Sequence, residues 1–470
     1  MLKREQISKN LTSQEKEVVA KLFSFRQEHV FEYWNTLHKP EKTQLLQDLS
    51  RIDFSFFKLI KTKKKQKHHF SPINVISPPK THQEKIDAQK AYLTGEDLLK
   101  KGKVALFMVA GGQGTRLGYP GPKGCISVTP VQQKSLFQVF AEKIKALEQK
   151  YSISIPWYIM TSPQNHIATE LFFKKHHFFG LQNVHFLQQG IFPSLSSEGK
   201  LLLKDKNHLL LNPDGHGGAL ALMQRILPEL HQQKKEFIFY FQVDDVLTNI
   251  ADPLFLGYHA LANADMSTKA VEKTDPEEKV GILGMIDKKQ GVIEYFDLAE
   301  QQKKMKDKNG KLKYRAGNIA VHLFSIPFLQ KIKKASLPFH LAKKKETIFK
   351  KNTFVQEEVF KYERFIFDTL PYAKKTITLM VDREKEFAPL KNKEGEKSLI
   401  TVQEAQNHLF ATWLEAKGIS IPRDAQGKVL CSLEISPLYA LTQEDFIKRF
   451  IQKSLALKKG DAWYVSEKEK

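Results

Sequence analysis

Two cations set among glycines are the first residues of this 470-residue chain whose types and spacing could do chemistry. The stretch 104–124, VALFMVAGGQGTRLGYPGPKG, is an apolar run followed by fourteen residues that include six glycines, one arginine and one lysine. Gly111, Gly112 and Gly114 would leave backbone N–H groups bare, so that a base and a phosphate chain can approach closely. Arg116 offers a permanent forked cation suited to the β and γ phosphates of a nucleoside triphosphate. Lys123, held between Pro122 and Gly124, places a compact charge nearer the α phosphate. A dinucleotide fingerprint needs a helix to start at once, and the YPGPKG that follows Gly118 blocks one. A P-loop needs Gly-Lys followed by Ser or Thr, which GPKGC lacks. The chemistry that fits is nucleotidyl transfer, where catalysis is mostly positioning and charge neutralisation. The plain alternative is a glycine-rich turn with ordinary surface cations.

The elements that must hold this loop follow from the texture after Val104. VALFMVA, IPWYIMTS, NVHFLQQG and EFIFYFQVDDVL predict strands, and SLFQVFAEKIKALEQK and HIATELFFKKHHFFG predict helices between them. Leu136, Phe137, Phe140, Ile144 and Leu147 make one apolar face, and Ser135 with Gln138 can form a capping box. Such alternation implies an α/β fold, a Rossmann-like, doubly wound, mixed and mainly parallel sheet that binds ligands at the C-terminal strand ends. Asp244 follows FIFYFQV and falls at such an end. Residues 1–100 read as an N-terminal helical region, with KTKKKQKHHFSPINVISPPK (61–80) as a basic, proline-bearing connector. Residues 101–380 read as the catalytic nucleotidyltransferase domain and 381–470, where the alternation fades, as a small C-terminal domain.

Composition narrows the class. A formal net charge of +22 is spread over scattered lysines and local clusters such as 61–69, 303–313 and 343–345. A solvated basic surface that steers small polyanions is the expected reading, without nucleic acid as partner. The charged start of the chain has no secretory core, and no apolar run approaches the ~20 residues that span a bilayer. A cytoplasmic protein without a membrane partner is expected. Two cysteines, Cys125 and Cys431, are too few for a disulfide framework or a Cys-rich zinc site. His68, His69, His176 and His177 lack metal-ligand spacing, and no Ser/His or Cys/His nucleophile arrangement stands out.

AGGQGTRLGYPGPKG resembles the signature of the eukaryotic-type UDP-sugar pyrophosphorylases, most closely those acting on UDP-N-acetylhexosamines. The likeness continues in order through PWYIMTS, FLQQGIFPSLSSEGK, NPDGHGG, VDDVLTNIADP, VEKTDPEEKVGIL, IEYFDL, AGNIAVHLF, FIFD and EFAPLKN, over roughly residues 100–395. It implies a uridylyltransferase that joins UTP to a hexosamine 1-phosphate and releases pyrophosphate, with UDP-N-acetylglucosamine the foremost product and Mg²⁺ the cofactor. Arg116 and Lys123 are the implied catalytic pair. Backbone at Ala110, Gly111 and Gly112 would cradle uridine, and Gln189 would read uracil with an amide that offers a donor and an acceptor together. Gly215 would lie against the base, with His216 beside it. Asp244 would hold Mg²⁺, a hard ion that favours carboxylate and phosphate oxygens. Asp245, where the family has Asn, would add charge at the metal or cap a turn. Glu294 and Asn318 match positions that bond the sugar, and Lys391 the lysine on its phosphate. Leu370 and Tyr372 stand where two aromatics line the family's sugar pocket. His216 is frequent in UDP-glucose and broad UDP-sugar enzymes, so those activities remain the alternative within the class. A non-catalytic nucleotide- or polynucleotide-binding protein is the alternative outside it. GlcNAc against GalNAc stays open.

Overall fold

The computed structural model describes residues 3–60, 68–295, 297–451 and 455–467. Residues 61–67 of the basic connector lie outside these. The chain divides into two compact units. One comprises the N-terminal residues with Gln189–Gly218 and Ser336–Asp368; the other comprises His68–Gln188, Ala219–Ala335 and the chain from Thr369 onward.

The second unit is built on one ten-stranded sheet. Its strands are β1 (Phe70–Pro72), β2 (Val104–Val109), β3 (Trp157–Thr161), β4 (Val184–Gln188), β5 (Phe237–Gln242), β6 (Met266–Glu272), β7 (Ile282–Ile286), β8 (Lys289–Ile293), β9 (Ala316–Ser325) and β10 (Thr376–Val381). The main path runs β1-β7-β9-β5-β2-β3-β4; β8 pairs with β7, β6 with β9, and β10 with β6. Strands β5, β2, β3 and β4 are mutually parallel, and β9 runs antiparallel to β5, β6 and β7, so the sheet is mixed as expected. Val104, Ala105, Leu106, Phe107 and Met108 are all buried, which explains why β2 reads as an unbroken apolar run rather than an alternating one.

Helix Leu136–Tyr151 crosses from β2 to β3 and buries Leu136, Phe137, Phe140, Ile144 and Leu147, each worth ~1.5–3 kcal/mol in apolar burial. Ser135 caps it by accepting the Gln138 N–H at 3.1 Å, but the reciprocal half of the expected capping box does not form. The Gln138 amide donates instead to Glu142 Oε1 at 3.0 Å. Because β3 and β4 follow β2 on one side while β5 lies on the other, the strand order reverses at the β2/β5 pair. Ligands bind at such a switch point, at the carboxyl ends of the strands.

The units do not divide at residues 100 and 380. Helix His82–Lys100 belongs to the sheet unit because it packs on helix Pro253–Leu261 backbone to backbone. A Cβ on Gly95 would lie 1.8 Å from the Pro253 oxygen, and one on Gly257 1.6 Å from the Ala91 oxygen. The C-terminal residues carry their own apolar cluster, with Leu414, Leu433 and Phe446 at its centre and parallel strands Ser432–Ile435 and Ala462–Val465 beside it, within that same unit. The first unit holds helices Ser13–Ser24 and Lys39–Ser50 and the hairpin His340–Lys350/Thr353–Glu363. Phe56, Phe192 and Phe339 meet in its core with ring centroids 5.1–5.4 Å apart. Among the described residues no helix is long and apolar enough to cross a membrane.

Candidate active site

In the sheet unit, the loop after β2 is shaped by its own backbone. Gly114 N–H donates to the Gly121 oxygen at 2.8 Å and Lys123 N–H to the Gly112 oxygen at 3.1 Å, which folds the loop back on itself. Gly114 is therefore not a bare donor, and a Cβ there would meet Tyr119 at 2.9 Å. Ala110 is also spent. It is buried, its N–H bonds the Met160 oxygen, and its carbonyl accepts from Asn165 Nδ2 at 2.8 Å. Gly111 and Gly112 are the positions whose N–H groups make no hydrogen bond among the described residues, and a side chain on Gly112 would meet nothing within 4 Å. Asn165, which also donates to the Gly112 oxygen at 3.2 Å, was missed by sequence reasoning. Its place four residues past β3 is the available signal.

Lys123 and Asp244 come together, one from the loop after β2 and the other from the turn after β5. Lys123 Nζ lies 3.5 Å from Asp244 Oδ2 and donates to the Leu390 oxygen at 3.1 Å. Arg116 is exposed on a short 3-10 turn (Thr115–Leu117) and makes no ion pair among the described residues. Asp245 forms no ion pair with Lys123 among the described residues. It is 4% exposed, and its Oδ1 accepts from Leu247 N–H at 3.3 Å and Ala388 N–H at 3.0 Å, so it fastens a turn. Burial pushes its carboxyl up to about 7, against the pull of the Ala388 N–H. No group of three or more His, Cys, Asp or Glu is arranged for a metal among the described residues. Asp244 thus offers a single carboxylate, the donor set of an ion held mainly by phosphate oxygens and water.

A strap, residues 386–391, closes over this turn. Leu390 N–H donates to the Asp244 oxygen at 2.8 Å, and Asp245 bridges to Pro389. Glu386 is anchored by Lys269, which is 0% exposed and also bonds Asp252, at 2.5 and 2.8 Å respectively. Lys391, exposed at the strap's end, borders an open cleft of about 820 Å³ that is also lined by Glu278, Lys279, Arg383 and Lys397. Asn318 sits at a bulge in β9 where Ala320 has φ +57°; its Oδ1 accepts the Ala320 N–H at 3.0 Å, which leaves Nδ2 to donate. Glu294, half-buried, follows β8 directly. Leu370 is fully buried, so it has no surface to offer a sugar; the 3-10 segment Ile366–Tyr372 turns it inward while Tyr372 stays 41% exposed.

The first unit holds the residues expected to read the base. Gln189 Nε2 donates to Asp214 Oδ1 at 3.1 Å and to the Gly215 oxygen at 3.4 Å. With Nε2 turned to these two acceptors, the Gln189 oxygen is the amide atom without a partner among the described residues. Asp214 was not singled out from the sequence. Its carboxyl is pushed up to about 6 by burial, opposed by Gln189 and by the charge on Arg364. Gly190 and Gly218 make room for it, since a Cβ on either would fall within 2.6 Å of its carboxylate. Gly215 has φ +83° and a Cβ there would lie 2.6 Å from the Arg364 oxygen, so the chain itself requires this glycine. His216 stacks on Phe365 at 4.9 Å, and its Nδ1 accepts from Ile366 N–H at 3.2 Å.

Residues 54–452 match the family described as UTP–glucose-1-phosphate uridylyltransferase. The chain is 35% identical over 431 residues to the UDP-N-acetylglucosamine pyrophosphorylase of Saccharomyces cerevisiae, spanning 83% of this chain and 89% of the yeast protein. It is 33% identical over 466 residues to UDP-N-acetylglucosamine diphosphorylase 2 of Arabidopsis thaliana, spanning 91% and 90%. Its fold is similar to the crystal structure of the uridine diphosphate N-acetylglucosamine pyrophosphorylase from Trypanosoma brucei in complex with inhibitor. The TM-score there is 0.79 at 23% identity, over 94% of this chain and 95% of that one.

Proposed function

The chain belongs to the UTP–glucose-1-phosphate uridylyltransferase family, and on that premise we propose that it transfers the uridylyl group of UTP to N-acetylglucosamine 1-phosphate. The observation that carries the reaction type is the Lys123–Asp244 pair, 3.5 Å apart, where the loops leave the carboxyl ends of the adjacent parallel strands β2 and β5. The choice of sugar rests on the relatives that align over most of the chain.

A phosphate oxygen of the sugar 1-phosphate attacks the α phosphorus in line. A P–O bond forms there as the bond from the α phosphorus to the α–β bridging oxygen breaks, and pyrophosphate departs with that electron pair. The attacking oxygen is already ionised, so the step needs no general base and no enzyme nucleophile. Lys123 stabilises charge that builds on the α phosphate, and Arg116, exposed and without an ion pair among the described residues, holds the departing pyrophosphate. Gly111 and Gly112 supply backbone donors. Asn318 and Glu294 hydrogen-bond the sugar, and Lys391 holds its phosphate. Mg²⁺ on Asp244, when bound, would neutralise phosphate charge.

The test is pyrophosphate release with UTP against a panel of sugar 1-phosphates. The expected result is a kcat/KM for N-acetylglucosamine 1-phosphate at least about tenfold above that for glucose 1-phosphate. A preference for glucose 1-phosphate would assign the chain to the UDP-glucose activity, and no release with any sugar would sink the proposal.

A further inference from the structure

Helix Leu136–Tyr151 does more than cover the sheet. Lys143, at its middle, donates from Nζ to the Val246 oxygen at 2.7 Å and to the Thr248 oxygen at 2.9 Å. Both carbonyls lie within four residues of Asp244, on the segment that continues its turn. Lys143 borders a cavity of about 440 Å³ lined also by Trp413 and Leu147, and no carboxylate forms an ion pair with it among the described residues. Burial pushes its ammonium down to about 8 despite the fields of Asp245 and Glu386. A group that pays this cost without an ion pair is explained by what its donors hold.

Six residues earlier on the same helix, about 9 Å along its axis, the Phe137 ring lies against Gly124, where a Cβ would approach it to 2.2 Å. Gly124 follows Lys123 directly, within the 3-10 turn Lys123–Cys125. One rigid helix thus presses on the Lys123 loop through Phe137 and grips the Asp244 turn through Lys143.

We propose that Lys143 is a positioning residue for uridylyl transfer: from its helix it fixes the Asp244 turn relative to Lys123, and so sets both the charge geometry at the α phosphate and the affinity for the divalent cation. This rests on the function proposed above. Asp245 and the strap share the effect, because Leu390 and Ala388 hang on the same turn.

The test compares K143M, which keeps the stem and loses the donors, with K143R, which restores donors. Three quantities are read: the thermal midpoint, kcat and KM for UTP, and binding of Mn²⁺ in the presence of UTP without sugar phosphate, by titration calorimetry. For K143M the expected result is a kcat about tenfold lower, a KM for UTP within about twofold of the parent, and a Mn²⁺ dissociation constant raised at least about fivefold. K143R should recover at least half of the Mn²⁺ loss on a logarithmic scale. A purely structural lysine would lower the thermal midpoint and leave Mn²⁺ affinity and kcat per folded molecule unchanged, and that outcome overturns the inference. If K143M does not fold, K143R decides, since an arginine variant with parental stability and a Mn²⁺ affinity weakened beyond that of a folded control at Lys150 also supports positioning, while one with neither change opposes it. A parent protein that releases no pyrophosphate with any sugar phosphate would defeat the functional proposal instead.

Discussion

At Arg116 and Lys123 the same requirement, charge for a polyphosphate, is met in two ways. Lys123 is 18% exposed at its side chain, tied to the Leu390 carbonyl and facing Asp244, so its charge is placed before any ligand arrives. Arg116 is exposed and unpaired among the described residues, so substituting it removes no hydrogen bond or ion pair seen among them. Arg116→Ala is expected to leave the thermal midpoint within about 1 °C while kcat falls by about 10²-fold or more; parallel melting and steady-state assays check both. Asp214 gives a pH-dependent expectation. Its carboxyl is raised from 3.8 to about 6 in the folded chain, so between those values the folded state binds more protons than the unfolded state. Stability is therefore fullest below about pH 4 as far as this group is concerned, and declines as pH rises toward 6, by about 2–3 kcal/mol at most. Asp214→Asn keeps the acceptor for Gln189 and removes the charge. The difference in unfolding free energy between variant and parent should shift toward the variant from pH 4.5 to 7 in urea titrations, and a constant difference would contradict the assignment.

Among the elements, the strap 386–391 and the paired helices His82–Lys100 and Pro253–Leu261 show what could and could not be read in advance. Strands β2 and β5 were legible because strands buried on both faces must be continuously apolar, and VALFMV and the FIFYF of β5 are. Helix Leu136–Tyr151 was legible from its 3.6-residue period. The strap's contacts were not, because Leu390 meets Lys123 across 267 residues through a backbone carbonyl, a group every residue carries. Gly95 and Gly257 carry no period either; their meaning lies in how closely the two helices approach. The inward turn of Leu370 and the turned amide of Gln189 depend likewise on local backbone that the motif letters do not encode. Gly257→Ala is expected to destabilise the chain by about 2 kcal/mol or more, since its Cβ would fall 1.6 Å from a backbone oxygen that cannot give way. A denaturation midpoint equal to the parent's would show that the helix pair adjusts at little cost.

For the molecule as a whole, the excess of basic residues, 74 Lys and Arg over 52 Asp and Glu, bears on both the substrates and the rate. UTP and a sugar 1-phosphate are polyanions, and a basic surface speeds their arrival in a way that salt screens. The kcat/KM for UTP should fall as ionic strength rises from about 0.05 to 0.3 M while kcat holds; a kcat/KM independent of salt would assign the charge another role. Within the second unit, the mixed sheet places Lys123 and Asp244 at the neighbouring ends of the paired strands β2 and β5. Everything proposed for the reaction depends on that placement. The most direct test is steady-state pyrophosphate release from UTP and N-acetylglucosamine 1-phosphate by the parent and by Lys123→Ala, each at a matched concentration of folded protein. A fall in kcat of about 10²-fold or more in the variant, with its fold retained, is the predicted result; turnover close to the parent's would contradict the account.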